Sequence, residues 1–282
     1  MLQLKNDVLQ AQVNPFGAEL HSVVLAGAER LWQGDPAVWS GRAPVLFPVA
    51  GAFLHGQYTY AGKTYAMPQH GFARKRAFQV TAQDARSVSL LLDSKEENYP
   101  FACRLFVSFA LPAADTGAIR VTYRVENAGD EAMYYGLGAH EAYACPEGIE
   151  HCQVVFSADD VLRQGVLSGA QLTHETVERR LTDRTLPLGG ECFIPDAMVF
   201  SGLASRSVTL KNTVNSRTVR VDFPDFPHLL LWQKPDAAFL AIEPWLNPPE
   251  FTDHDGQLIH KPGIQRLAPG EGREYVHTIT FG

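Results

Sequence analysis

Residues 119 to 125 read Ile119-Arg120-Val121-Thr122-Tyr123-Arg124-Val125. Apolar and polar side chains alternate without a break, the period of a strand with one face on a core and the other toward water. Working outward, the same texture recurs on both sides. Val88-Ser89-Leu90-Leu91-Leu92 and Leu105-Phe106-Val107-Ser108-Phe109 lie upstream. Downstream come Thr218-Val219-Arg220-Val221-Asp222-Phe223, His228-Leu229-Leu230-Leu231-Trp232, Ala238-Phe239-Leu240-Ala241-Ile242 and a closing run from Glu274 to Phe281. Gln57 to Tyr65 reads as a hairpin turning near Ala61-Gly62. Helical i, i+3, i+4 spacing is hardly found. Many short strands separated by Gly/Pro turns predict an all-β chain, a sandwich or a barrel. The polar stretch from Leu162 to Leu188 has no clean period between Thr173 and Arg184 and reads as a long excursion over the surface. No repeat, linker or low-complexity segment interrupts residues 1–282, so one domain is expected.

With 282 residues, 45% of them hydrophobic and 20% charged, the chain can bury a sizeable core. A net charge of -7 gives no basic footprint for nucleic acid or an anionic membrane. Met1-Leu2-Gln3-Leu4-Lys5 lacks an apolar secretory core, and no later run approaches membrane-spanning length. Cys103, Cys145, Cys152 and Cys192 show no C-x-x-C spacing and read as reduced thiols. A cytoplasmic protein, monomer or homodimer, is the expectation.

Four stretches place polar groups in apolar text. The first is Tyr134-Tyr135-Gly136-Leu137-Gly138-Ala139-His140-Glu141-Ala142-Tyr143, where small residues leave room beside the backbone and His140 stands at the floor of that space, with Tyr143 as a wall. His140 is a proton donor and acceptor near neutral pH, or else a satisfied core histidine. In Pro68-Gln69-His70-Gly71-Phe72-Ala73-Arg74, a histidine precedes a glycine and Arg74 follows four residues on. Asp196 interrupts Phe193-Ile194-Pro195-Asp196-Ala197-Met198, as a site carboxylate or as a turn residue. Glu243 ends the buried-strand text Phe239-Leu240-Ala241-Ile242 beside Pro244 and Trp245. There a carboxylate carries a desolvation cost unless it is partnered, which makes it a candidate base or the partner of an arginine. Trp245 offers a flat face to a sugar ring or packs in the core. Arg42 opens the proline-bearing apolar wall that runs to Gly51. Asp253-His254-Asp255 looks like a metal cluster but sits among turn residues and reads as an exposed turn. G-x-S-x-G, Walker A and H-E-x-x-H patterns are absent.

Taken together, these stretches resemble the aldose 1-epimerase (galactose mutarotase-like) family, and most of all its LacX-like branch. The matches are Gly17-Ala18-Glu19-Leu20, Ala43-Pro44-Val45-Leu46-Phe47-Pro48, His70-Gly71-Phe72-Ala73-Arg74, Gly138-Ala139-His140, Asp196-Ala197 and Glu243-Pro244-Trp245. They fall in the family's order and span nearly the whole chain. The resemblance implies a large antiparallel β-sandwich that interconverts the anomers of an aldose without metal or cofactor. It implies that His140 is the acid that protonates the ring oxygen and Glu243 the base at the anomeric hydroxyl. His70, Asp196 and Arg42 would hold sugar hydroxyls. Gly138-Ala139-His140-Glu141 departs from the branch's more familiar Gly-Gly-His-Pro, and Leu246-Asn247-Pro248 follows where a glycine is often seen.

Two other functions fit the same residues. A hexose-6-phosphate 1-epimerase would use Arg74, Lys75 or Arg76 on the phosphate, and, read as extended chain, Arg74 and Arg76 share one side. A non-catalytic carbohydrate-binding domain would have no need of an acid–base pair. A free aldose is the expected substrate.

Overall fold

The structure, a computed structural model, describes residues 1–282. The alternating stretch lies within strand Ala118–Asn127, where Ile119, Val121, Tyr123 and Val125 are buried while Arg120 and Arg124 face water. This strand runs antiparallel between Cys103–Ala110 and Gly272–Phe281, near the middle of a nine-stranded sheet. The sheet's order is Thr185–Pro187, Cys152–Phe156, Ser207–Asn212, Thr218–Asp222, Gly272–Phe281, Ala118–Asn127, Cys103–Ala110, Ser87–Ser94 and Gln79–Gln83.

A second sheet of six strands packs on its face. Its order is Glu141–Ala144, Phe239–Trp245, His228–Trp232, Met198–Ser201, Val161–Ser168 and Gln171–Arg180, again antiparallel throughout. The inward side chains of the two sheets form one apolar core that includes Val121 and Ile279 from the first and Leu229, Leu231, Leu240 and Ile242 from the second. Phe156 meets Phe200 edge-on across the gap, with ring centroids 5.9 Å apart. Each such aliphatic side chain, fully buried, contributes roughly 1.5–3 kcal/mol. Four N-terminal strands, Leu2–Lys5, Leu9–Asn14, Glu19–Leu25 and Ala28–Glu29, make a separate antiparallel sheet. The expected hairpin is present as Gln57–Tyr60 and Lys63–Ala66. The fold is an all-β sandwich, one of the two architectures that the strand text left open and the one that the resemblance implied.

One segment departs from its reading. The polar run after Leu162 is not a loose excursion. Val161–Ser168 and Gln171–Arg180 form a hairpin that completes the edge of the six-stranded sheet, with a bulge between Gly165 and Leu167. An edge strand pairs on one side only and keeps charged side chains on its open faces, so its sequence shows no buried period.

Candidate active site

The six-stranded sheet is covered on both faces, and the site lies on the face turned away from the nine-stranded sheet. All of Phe239–Trp245 is buried. Leu240 and Ile242 point into the main core, whereas Phe239, Ala241 and Trp245 belong to apolar clusters on the outer face. Glu243 shares that outer face by the two-residue period of a strand. The neighbouring strand Glu141–Ala144 pairs with it, Glu141 opposite Ile242, and His140 sits at that strand's start.

His140 Nε2 lies 3.4 Å from Glu243 Oε1, with both side chains nearly sealed from solvent. Trp39 stacks on the His140 ring, Trp232 meets it edge-on at 5.5 Å, and His70 stands perpendicular at 5.6 Å. The surrounding cleft has a volume of about 470 Å³, and Arg74, Asp196, Trp245 and Gln69 also line it. Burial dominates both members of the pair. It pushes His140 down to about 3, with Arg74 adding to the effect, and holds Glu243 well above the usual carboxylate range, reinforced by the charges of Asp196 and Glu141. Each group therefore favours its uncharged form, and the resting pair carries a single proton.

His70 is fixed by its backbone. It adopts a left-handed conformation with φ 64°, and its N–H donates to the Gly51 carbonyl at 2.7 Å. The Gly51 N–H in turn donates to His70 Nδ1 at 3.1 Å, so the ring hydrogen resides on Nε2. Burial, His140 and Arg74 hold His70 well below its ordinary pKa, which keeps it a neutral donor. Gly71 follows because nothing larger fits: a Cβ there would lie 2.2 Å from the Phe47 carbonyl oxygen. Arg74 reaches the cleft from the short 3₁₀ turn Ala73–Lys75 and donates to the Gln69 carbonyl at 2.9 Å. The turn, rather than extended chain, separates Arg74 from Arg76, whose guanidinium is bound by Glu96 at 2.8 and 2.6 Å.

His140, Glu243, His70, Arg74, Asp196 and Trp245 thus meet in one cleft. Arg42 does not join them. Its guanidinium donates to the Gln33 carbonyl, and it is not among the lining residues. The room expected beside the glycines of the His140 stretch is filled by protein: a Cβ on Gly138 would lie 2.6 Å from the Trp245 indole. Tyr143 is no wall either, for it points into the sandwich core against Phe281. In Asp253-His254-Asp255 the two aspartates are exposed as expected, but the His254 side chain is buried with Nδ1 2.9 Å from Glu250 Oε1. The sequence reading missed Trp39 and Trp232, and it missed Leu167 and Ala170, which the hairpin tip brings to the cleft. Composition held the one usable signal: three of the chain's four tryptophans surround this cleft.

The aldose 1-epimerase family model matches residues 1–279. The chain belongs to the aldose 1-epimerase family. Its relatives include the plasmid and chromosomal LacX proteins of Lactococcus lactis subsp. lactis, each 31% identical over 301 residues, covering 99% of this chain and 99% of that protein. Among solved structures, a galactose mutarotase related enzyme from Lactobacillus acidophilus superposes with a TM-score of 0.94 at 30% identity, over 99% of this chain and 96% of that one. A galactose mutarotase-like protein from Lactobacillus casei gives 0.91 at 26% identity over the full length of both. A galactose 1-epimerase from Lactobacillus acidophilus shares the aldose epimerase fold at a TM-score of 0.74 and 15% identity, over 99% and 93% of the two chains. No helix in the structure is long and apolar enough to cross a membrane.

Proposed function

We propose that this cleft interconverts the α and β anomers of a free aldose, with His140 as acid and Glu243 as base. The observation that carries the reading is the 3.4 Å approach of His140 Nε2 to Glu243 Oε1 in a cleft also lined by His70, Arg74 and Asp196. Opening a cyclic hemiacetal moves a proton off the anomeric hydroxyl and puts one on the ring oxygen. The C1–ring oxygen bond breaks toward the oxygen as the C1 carbonyl forms, so no oxidation state changes. Moving the pair's single proton onto His140 leaves a carboxylate to take the hydroxyl proton and an imidazolium to supply the ring oxygen. Rotation about C1–C2 and closure by the reverse transfers give the other anomer. Each positioned group contributes about 10²–10⁴-fold. His70 Nε2–H, Arg74 and Asp196 would hold the remaining hydroxyls. A domain that only binds sugar gains nothing from burying a carboxylate against a histidine.

The cations favour an unphosphorylated sugar. Arg74 alone of the Arg74-Lys75-Arg76 cluster lines the cleft. Arg76 is taken up by Glu96, and the rim lysine Lys234 donates to the Val38 carbonyl at 2.6 Å. The test is anomer-exchange NMR on free and 6-phosphorylated aldoses with wild type, Glu243→Gln and His140→Asn. Both variants should fold and lose about 10²–10⁴ of the rate. Near-wild-type exchange in a folded variant would sink the assignment.

A further inference from the structure

Glu141 follows His140 directly, and the strand sends the two side chains to opposite faces. His140 enters the cleft, while Glu141 enters the sandwich core, where only 2% of it is exposed. There it meets His277, fully buried on Gly272–Phe281, with His277 Nε2 3.1 Å from Glu141 Oε1. Gly272–Phe281 is an interior strand, flanked by Ala118–Asn127 and Thr218–Asp222. Glu141–Ala144 stands last in the six-stranded sheet, and its outer side is bonded only to the connecting chain at Arg30, Trp32 and Arg42. The strand that begins just after His140 is therefore tied by this pair to an interior strand of the opposite sheet.

We propose that Glu141, gripped by His277, is a positioning residue for the His140–Glu243 pair, acting on it through the sheet by its anchored backbone and its carboxyl group. The inference rests on the anomer-exchange reading for its kinetic part only.

The pair is poorly built for stability alone. Glu141 Oε2 and His277 Nδ1 are buried with no hydrogen-bond partner, and well-packed apolar residues commonly serve a core at least as well as a buried ion pair. A local rule broken in the core directly behind a reacting pair is expected where function requires it. Glu141 stands opposite Ile242, one residue from Glu243 on the adjacent strand, and its charge is among those that raise Glu243's hold on a proton. His140, Asp196 and the Trp245 indole act on Glu243 from its own face, and Glu141 acts from the far side of the sheet. Those facing Glu141 are His277, with Tyr123 stacked on its ring at 5.8 Å, and Tyr143. Removing the Glu141 charge should therefore release the Glu243 proton at lower pH.

The experiment is Glu141→Gln, which keeps an acceptor for His277, together with the apolar double variant Glu141→Leu/His277→Phe. The Glu243 carboxyl is titrated by carbon NMR without sugar, and kcat and KM for anomer exchange are followed against pH. In Glu141→Gln the Glu243 titration and the alkaline limb of kcat should both move to lower pH. In the double variant kcat should fall about tenfold with KM little changed, because the reacting pair is displaced. Folded variants with an unmoved Glu243 titration and wild-type kcat would overturn the proposal. A shifted titration in a protein that exchanges no sugar would instead uphold the coupling and remove the proposed reaction.

Discussion

The Trp39 indole lies against the His140 imidazole, ring centroids 5.2 Å apart and planes inclined by 27°. Trp39 comes from a loop and His140 from a strand start more than a hundred residues later, so tertiary packing alone brings them together. The stack fixes the plane of the ring that must deliver a proton. Trp39→Ala should lower kcat about tenfold, more than it raises KM, and Trp39→Phe should restore most of the loss. Steady-state exchange measurements on the two variants check this.

The acid limb of the pH profile should lie far below neutral pH. A second proton on the pair removes the base, and that requires His140 to protonate, which burial delays until about 3. Loss of the only proton removes the acid, and Glu243's raised pKa sets that alkaline limit. Activity therefore falls on the acid side far below the ordinary histidine value of 6.5. An acid limb centred near that ordinary value in the kcat/KM profile would contradict the one-proton pair.

Arg74 is the cleft's arginine, and burial lowers its pKa without neutralising it. Arg74→Ala should raise KM for free glucose or galactose about tenfold with a smaller change in kcat, the mark of lost binding. In wild type, kcat/KM for the free sugar should exceed that for glucose 6-phosphate. A strong preference for the phosphate that collapses in Arg74→Ala would reverse the substrate choice.

Away from the cleft, Lys261 is 2% exposed, its Nζ has no hydrogen-bond partner, and it lies 5.3 Å from the centre of the Phe53 ring. Burial pushes its pKa down to about 8, against a smaller opposing pull from Glu250. The unfolded chain holds that proton up to the ordinary value of 10.5, so the folded state bears the full penalty below about 8 and sheds it as pH rises between the two. Lys261→Met should stabilise the fold at neutral pH by about 1–3 kcal/mol. The gain should shrink toward pH 10.5 in urea melts.

What was legible in the sequence followed from how many faces a segment buries. Ile119–Val125 is half-buried and reads as strict alternation, and Phe239–Ile242 is buried on both faces and reads as a solid apolar run. Glu243 and His140 stood out because a charged or titratable group in such text requires a reason. Arg42 was misplaced because its proline-bearing segment has no period, and nothing local says that its guanidinium turns to the Gln33 carbonyl. The Val161–Ser168 and Gln171–Arg180 hairpin was hidden by an edge position and a bulge. Glu141 was visible as a departure at the motif, but the sequence does not show which face of the strand it takes.

Strand Phe239–Trp245, covered on both sides, makes parity an inheritance that this protein cannot lose. Adding or deleting one residue before Glu243 would exchange its place with a neighbour's, sending a carboxylate into the aliphatic core and an aliphatic side chain into the cleft. Length change is tolerated only where the chain does not count in twos. The hairpin tip at Ser168–Gly169–Ala170, the Gly190–Phe193 turn leading to Asp196, and the bend from Gln233 to Ala237 all reach the cleft from such places. New sugar preferences in this lineage are therefore expected to arise by lengthening or shortening those rims, while the proton-handling strand changes by substitution alone.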